Sequence, residues 1–305
     1  MTRHHARIPG LEKTASRLVM GVDNQTTPEQ WDVLDDFILR GGNVFDNAYV
    51  YGGGKCEQNF GAWMQARNVR DQIVLLGKGA HTPHCTPDGL SVQLIESLER
   101  LQTDGVDVYI MHRDNTDVPV GEFVDVLNAH KAAGRLRVFG GSNWSLERVK
   151  AANAYAKSKG LHGFGVVSNQ FSLATMLSPV WAGCLSASDL EFRVWLEQTQ
   201  TVLMPWSSQA RGFFVIADPN DRSNEELVRC WYSDENFVRL DRARELAAAK
   251  GVTPIQVALA YVLAQPFPTF PLIGPRSTSE TASSWLALEL ELSASEVAWL
   301  NLERD

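Results

Sequence analysis

Four side chains able to deliver and steady a proton fall at or just beyond the ends of three successive apolar runs. Asp46 and Tyr51 accompany the run Asn43–Asn47, Lys78 ends Gln72–Lys78, and His112 ends Val106–His112. A tyrosine, with an unperturbed pKa near 10, is a weak acid. It can still protonate an alkoxide, more readily if a neighbouring ammonium lowers its pKa by about 1–3 units. A carboxylate such as Asp46 would keep a buried lysine protonated, and a histidine can donate a hydrogen bond that orients and polarises a carbonyl oxygen. Taken singly, each residue is more often an ion-pair member or a packed core residue. The set of four suits proton delivery to a carbonyl that is receiving a hydride.

Such a set works only if its strand ends meet, and the rest of the chain supplies the means. Eight apolar or β-branched runs recur: Arg17–Met20, Asn43–Asn47, Gln72–Lys78, Val106–His112, Leu136–Ser142, Phe164–Gln170, Thr201–Trp206 and Thr269–Gly274. Helical patterns lie between them: Trp31, Leu34 and Ile38 share a face, as do Leu90, Leu94, Leu98 and Leu101. Thr27–Pro28 reads as a helix start, Gly41–Gly42 as its end, and Ser145 as a further N-cap. The alternation predicts an α/β fold, a single-domain (β/α)8 TIM barrel over residues 1–305, whose strand ends converge on one pocket. Two less regular stretches, Leu177–Glu191 and Val215–Asp234, follow late strands and are candidate substrate lids.

A net charge of −8 and a pI of about 5.4 argue against nucleic acid as a partner. Cys56, Cys85, Cys184 and Cys230 form no C-x-x-C and read as free thiols of a cytoplasmic protein. No run approaches the roughly 18 apolar residues that span a membrane. The first eleven residues, with His4 and His5, lack the apolar stretch of a signal peptide and read as a solvated tail. His81-x-x-His84-Cys85 matches no common zinc spacing, so no metal is expected there, and His81 is placed at the pocket instead.

Four stretches carry a family resemblance: Phe45-Asp46-Asn47-Ala48-Tyr49-Val50-Tyr51-Gly52, Leu76-Gly77-Lys78-Gly79, Asp107-Val108-Tyr109-Ile110-Met111-His112-Arg113, and the run from Gly134 to Ser142-Asn143. As a spaced set they resemble the aldo-keto reductases, with Asn47 standing where threonine is usual and Arg135 where lysine is usual. The resemblance implies Tyr51 as general acid/base, Asp46 and Lys78 as its tuning pair, and His112 as the group that orients the carbonyl. It implies NADP(H) lying extended across the barrel top, since no G-x-G-x-x-G is present. Gly21 and Val22 would border the cofactor, Ser142, Asn143 and Gln170 would hold the carboxamide, and Trp206 would stack on the nicotinamide. Ser207, Gln209 and Arg211 would lie near the pyrophosphate. Arg276 and Ser277 would meet a 2′-phosphate, with Glu280 and Ser284 near the adenine; Ser284 stands where asparagine is usual.

Tyr49, the rival acid two residues from Tyr51, is assigned instead to the substrate pocket, with His81, Arg113 and Trp144. Trp181, Trp231 and Tyr232 are further candidate aromatic walls. Polar residues near the mouth, among them Asn24, Asn47, Asp114 and Asn115, suggest a small-molecule substrate bearing hydroxyls, such as a sugar or polyol derivative. The expected activity is NADP(H)-dependent reduction of an aldehyde or ketone, or its reverse. Alternatives are an NADPH-binding redox-sensing or regulatory subunit with little turnover, and a non-redox barrel enzyme such as an isomerase.

Overall fold

Along each barrel strand the residues that face inward are mostly β-branched, and this pattern decides the architecture. Val19, Val44, Val74, Leu76, Val108, Ile110, Val138, Val166, Val202, Met204 and Phe270 form one buried cluster inside the sheet. Their sequence neighbours, such as Phe45, Leu75, Tyr109, Met111 and Phe139, join a second, larger cluster beneath the helices. In this computed structural model, which describes residues 3–304, both faces of the sheet are therefore dry, as a fully parallel sheet requires.

Ten strands are present among the described residues: β1 (His5–Arg7), β2 (Thr14–Ser16), β3 (Val19–Gly21), β4 (Val44–Ala48), β5 (Val74–Gly79), β6 (Val106–Met111), β7 (Leu136–Gly141), β8 (Val166–Val167), β9 (Val202–Leu203) and β10 (Leu272–Ile273). Strands β3 to β10 make one parallel sheet in the order β10-β3-β4-β5-β6-β7-β8-β9. The sheet closes on itself through a parallel bridge from Leu203 to Thr269, with Leu203 N donating to Pro268 O and Phe270 N to Leu203 O. The expected single (β/α)8 barrel is thus observed, with helices on the outside. Its last three strands are shorter than their apolar runs: β8, β9 and β10 keep two residues each. Among the described residues no single helix is long and apolar enough to cross a membrane.

Two expectations are corrected here. His4 and His5 do not belong to a solvated tail. His5 opens β1, which pairs antiparallel with β2, and its ring Nε2 lies 2.8 Å from Gly41 O. His4 contacts Glu289 and packs edge-on against Trp285. The hairpin inserts Ile8 and Ala15, both fully buried, into the inner cluster and so plugs the N-terminal end of the barrel. Val215–Asp234 is not wholly irregular: it contains the helix Glu225–Trp231, capped by Asn224 Oδ1 on Leu227 N. The stretch Leu177–Glu191 is largely loop, as expected, until the helix Leu190–Thr199 begins.

Candidate active site

The C-terminal ends of β4, β5 and β6 bring the four expected residues together. Asp46 lies within β4 and Lys78 within β5, two residues apart in register, since Asp46 pairs with Leu76 and Ala48 with Lys78. Lys78 Nζ donates to Asp46 Oδ2 at 2.7 Å and to Tyr51 Oη at 3.1 Å. Tyr51 stands just past β4, at the start of a single helical turn, Tyr51–Gly54. Gly52, Gly53 and Gly54 all have positive φ, a geometry that costs an L-side chain about 1–2 kcal/mol and that reverses the chain into the helix Lys55–Arg67. His112 follows β6, its ring edge-on to Tyr51 with centroids 5.8 Å apart. His81, from the loop after β5, packs edge-on to His112 on a centroid distance of 5.0 Å.

The electrostatics follow from burial. Asp46 and Lys78 are almost completely buried. Burial lifts the Asp46 carboxyl to about 6 against the pull of Lys78. Burial also opposes the Lys78 ammonium, but Asp46 and Tyr51 outweigh it and leave the lysine above its ordinary value. The expectation that Lys78 would bring Tyr51 below the ordinary tyrosine value is corrected. Desolvation of the phenolate exceeds the lysine's attraction, so Tyr51 is pushed up and is a neutral phenol at neutral pH. His112 is driven well below the ordinary histidine range by burial first, then by Lys78, Arg113 and His81, and is a neutral imidazole. Its Nδ1 is buried with no hydrogen-bond partner, which leaves Nε2 as the ring nitrogen available to a ligand.

Around this cluster, Ser142 Oγ donates to Ser168 O (2.6 Å), and Asn143 Nδ2 donates to His112 O (3.3 Å) and Ser142 Oγ (3.1 Å). Gln170 Nε2 donates to Ser172 Oγ and its Oε1 accepts from Ser186 Oγ. The loop after β8 docks on these same residues: Leu185 N donates to Asn143 Oδ1, and Ala187 N to Gln170 O. Gly21 pairs with Asp46 across β3 and β4, and Val22 N donates to Asp46 O. Trp206 is half-buried just beyond β9, with its Nε1 unpartnered and the exposed Trp181 tilted against it at 5.7 Å. Ser207 and Gln209 are half-buried beside it. Arg211 pairs with Glu226 (2.5 Å) and lies over the Trp181 ring. Arg276 is exposed, and among the described residues no carboxylate pairs with its guanidinium. Ser277 caps the helix Thr278–Leu286, and Glu280 Oε2 accepts from Arg276 N at 2.7 Å. Ser284 is buried on the inner face of that helix.

Two expected substrate residues are placed elsewhere. Tyr49 gives its hydroxyl to Glu96 Oε2 at 2.7 Å and stacks under the Arg100 guanidinium, both on the outer helix Pro87–Leu101. Trp144 is fully buried beneath the helices against Phe123 and Phe164, its Nε1 donating to Arg113 O. Of the other candidate walls, Trp231 is also fully buried. Arg113 is itself buried and gives one hydrogen bond, Nη1 to His112 O at 2.9 Å. The histidine–cysteine triplet is dispersed: His81 faces His112, His84 is exposed, and Cys85 is buried with Sγ on Arg113 O. Asp23, whose charge raises both Asp46 and Tyr51, was not singled out from the sequence; an aspartate in a loop carries no signal there.

Residues 17–301 match the sequence model of the Aldo/keto reductase family. Norsolorinic acid reductase of Aspergillus flavus is 29% identical over 298 residues, covering 92% of this chain and 72% of that protein. An aryl-alcohol dehydrogenase of Pestalotiopsis microspora is 27% identical, over 91% of this chain and 73% of its own length. An aldo-keto reductase from Klebsiella pneumoniae, solved in complex with NADPH, superposes with a TM-score of 0.75 at 22% identity, covering 99% of this chain and 95% of the other.

Proposed function

The chain belongs to the aldo/keto reductase family, and from that premise we propose that it catalyses NADP(H)-dependent interconversion of an aldehyde or ketone with the corresponding alcohol, Tyr51 acting as the general acid/base. The observation that carries this reading is the unbroken line Asp46–Lys78–Tyr51, at 2.7 and 3.1 Å, ending on a phenol that faces the neutral His112.

The residues present fit a phosphorylated dinucleotide. Arg276 offers a free guanidinium beside the N-terminus of the helix Thr278–Leu286, which suits a 2′-phosphate. Trp206 offers a half-buried ring with an unpartnered Nε1, and Ser142, Asn143 and Gln170 cluster next to His112. When bound, NADPH supplies the hydride that a carbonyl carbon accepts. Gly21, Val22, Ser207, Gln209 and Arg211 complete the proposed cofactor set, with Glu280 at its adenine end. Ser284 would act there only from beneath the helix.

The chain's own groups do the rest. His112 donates from Nε2 to the carbonyl oxygen and holds it next to Tyr51. Tyr51 gives its phenolic proton to that oxygen as negative charge develops on it, and the Lys78 ammonium steadies the phenolate left behind. Asp46 keeps Lys78 charged. Burial keeps Tyr51 protonated at neutral pH, the form that a proton donor requires. Around His112 and Trp206, the half-buried His81 and the exposed Trp181 offer both polar and aromatic contacts, so aryl aldehydes and ketones belong in the substrate panel beside sugar aldehydes.

The test is Tyr51→Phe assayed with NADPH and an accepted carbonyl. Turnover should fall by roughly 10²–10⁴-fold, the usual worth of a positioned acid, while NADPH affinity measured by fluorescence is retained. Near-wild-type turnover in the variant would remove Tyr51 from the mechanism. Tight NADPH binding with no oxidation by any carbonyl in the panel would favour the sensor reading.

A further inference from the structure

Away from the catalytic cleft, a cavity of about 300 Å³ opens among the helix Leu190–Thr199, the helix Asp234–Lys250 and the C-terminal residues Asn301 and Glu303. Its walls include Arg193, Arg239, Ser172, Ser188, Thr175 and Tyr261. The size suits a small organic molecule, and the Arg239 guanidinium suggests its charge.

The two arginines differ in how they are satisfied. Arg193 is spent on Glu303, whose Oε1 accepts from both Nη1 (3.1 Å) and Nη2 (3.2 Å). Arg239 reaches only a neutral oxygen, Asn236 Oδ1 at 3.3 Å, and among the described residues no carboxylate pairs with it. The Nε atoms of both side chains are buried without a partner. Burial also pulls the Arg239 pKa down, and Arg242 adds to the fall, while Tyr261 and the exposed Glu235 oppose it only in part. An uncompensated guanidinium in a half-dry site is costly unless an anion meets it. The nearby Asp189 is exposed at the rim, where water screens it.

The cavity also backs onto the proposed cofactor site. Ser172, on its wall, accepts from Gln170 Nε2 at 2.8 Å and donates to Ala174 O at 2.7 Å. Ser188, also on the wall, lies 2.8 Å from Ser186 Oγ, which in turn contacts Gln170 Oε1 at 2.9 Å. Both ends of the Gln170 amide are therefore held by hydroxyls one step from this cavity.

We propose that this cavity is a second ligand site, for a small hydroxylated organic carboxylate held by the Arg239 guanidinium, and that its occupancy is coupled to the cofactor site through Ser172, Ser188 and Gln170. The site itself is independent of the function proposed above; the coupling rests on that reading of Gln170. Serine and threonine hydroxyls would meet the ligand's hydroxyls, and the planar guanidinium would meet its carboxylate in a fork. Linkage requires that a ligand which alters NADPH affinity be altered equally by NADPH.

The probe is D-gluconate, with D-glucose as the uncharged control, titrated calorimetrically into the full chain with and without NADPH. Gluconate should bind one-to-one and glucose should not. Arg239→Gln should weaken gluconate roughly tenfold or more without changing NADPH turnover in the absence of gluconate. Thr175→Trp, which fills the cavity from an exposed position, should abolish binding and covers the case in which Arg239→Gln fails to fold. No gluconate binding to the wild type would overturn the site. So would binding that survives Arg239→Gln and Thr175→Trp but is lost in His81→Ala, because the anion would then sit in the catalytic cleft. A gluconate-dependent shift in NADPH affinity, absent in Arg239→Gln, is expected from the coupling. Binding with no such shift overturns the coupling and leaves the site standing.

Discussion

A histidine held neutral by burial has a thermodynamic consequence that can be measured without a substrate. His112 has its pKa driven well below 6.5 in the folded chain, whereas in the unfolded chain it returns to its ordinary value. Below about pH 6.5 the unfolded chain therefore takes up a proton that the native protein resists, and stability falls as pH falls. Asp46 works in the opposite sense, because its folded pKa is raised to about 6 and its native form binds a proton first. A pH–stability curve of the wild type alone would mix the two. His112→Gln removes the histidine's contribution and leaves Asp46 in place. Urea unfolding at pH 7 and pH 5 should show the wild type losing more stability than the variant, by up to about 1.4 kcal/mol per pH unit below 6.5. Equal losses in the two proteins would mean that His112 is protonated in the fold at pH 5. The same residue scale explains why Tyr49 and Tyr51 diverge. Two positions apart in sequence, one is drawn to Lys78, the other to Glu96 and Arg100. Sequence spacing supplied both phenols but not the outer-helix charges that claim one of them.

At the scale of elements, the turn after β4 is what aims Tyr51. Gly53 has φ +64 and nothing within 4 Å of where a Cβ would stand, whereas Gly54 has φ +92 and would place its Cβ 2.8 Å from Arg100 Nη1. Arg100 in turn donates to Glu57 Oε2 and to Tyr49 O, so it is not free to withdraw. Gly53→Ala should cost only the backbone strain, about 1 kcal/mol. Gly54→Ala should cost about 1–3 kcal/mol more in urea unfolding, because a bonded guanidinium must move. Equal costs would show that the Arg100 contact is soft. The strand cores were legible because inward residues, mostly valines, and outward apolar residues such as Phe45, Leu75 and Tyr109 keep the barrel strands apolar. The helix Lys55–Arg67 was not, because it buries Glu57 and Asn59 on its inner face and breaks the apolar stripe that would announce it. The N-terminal hairpin was hidden for a related reason: His5–Arg7 and Thr14–Ser16 each offer a single alanine, too short an alternation to announce a strand, and Ile8, which docks the hairpin together with Ala15, lies in the turn between them.

For the whole molecule, the barrel puts the proposed chemistry and its hairpin stopper at opposite ends. Asp46, Lys78, Tyr51 and His112 lie at the C-terminal ends of the strands, while the other end is stoppered by the hairpin, with Lys13 Nζ bonded to Ile73 O (2.7 Å) and Arg17 N to His4 O (2.7 Å). This division accounts for which expectations survived. The residues that gather at the C-terminal end are those of the proposed chemistry, and their types and spacing were visible in the sequence. The stopper works through buried area and backbone bonds, which leave no motif. Ile8 is completely buried among Val19, Val44 and the other inward side chains, so removing three of its carbons leaves a void that a closed ring of strands cannot collapse to fill. Ile8→Ala should therefore destabilise the protein by about 2–5 kcal/mol and lower its melting temperature. Because the void lies at the end away from Tyr51, kcat/KM for carbonyl reduction, measured well below the melting transition, should match the wild type. A loss of turnover in proportion to the loss of stability would show instead that the two ends of the barrel are mechanically joined, and that the stopper helps to set the geometry of the tyrosine, lysine and aspartate at the other end.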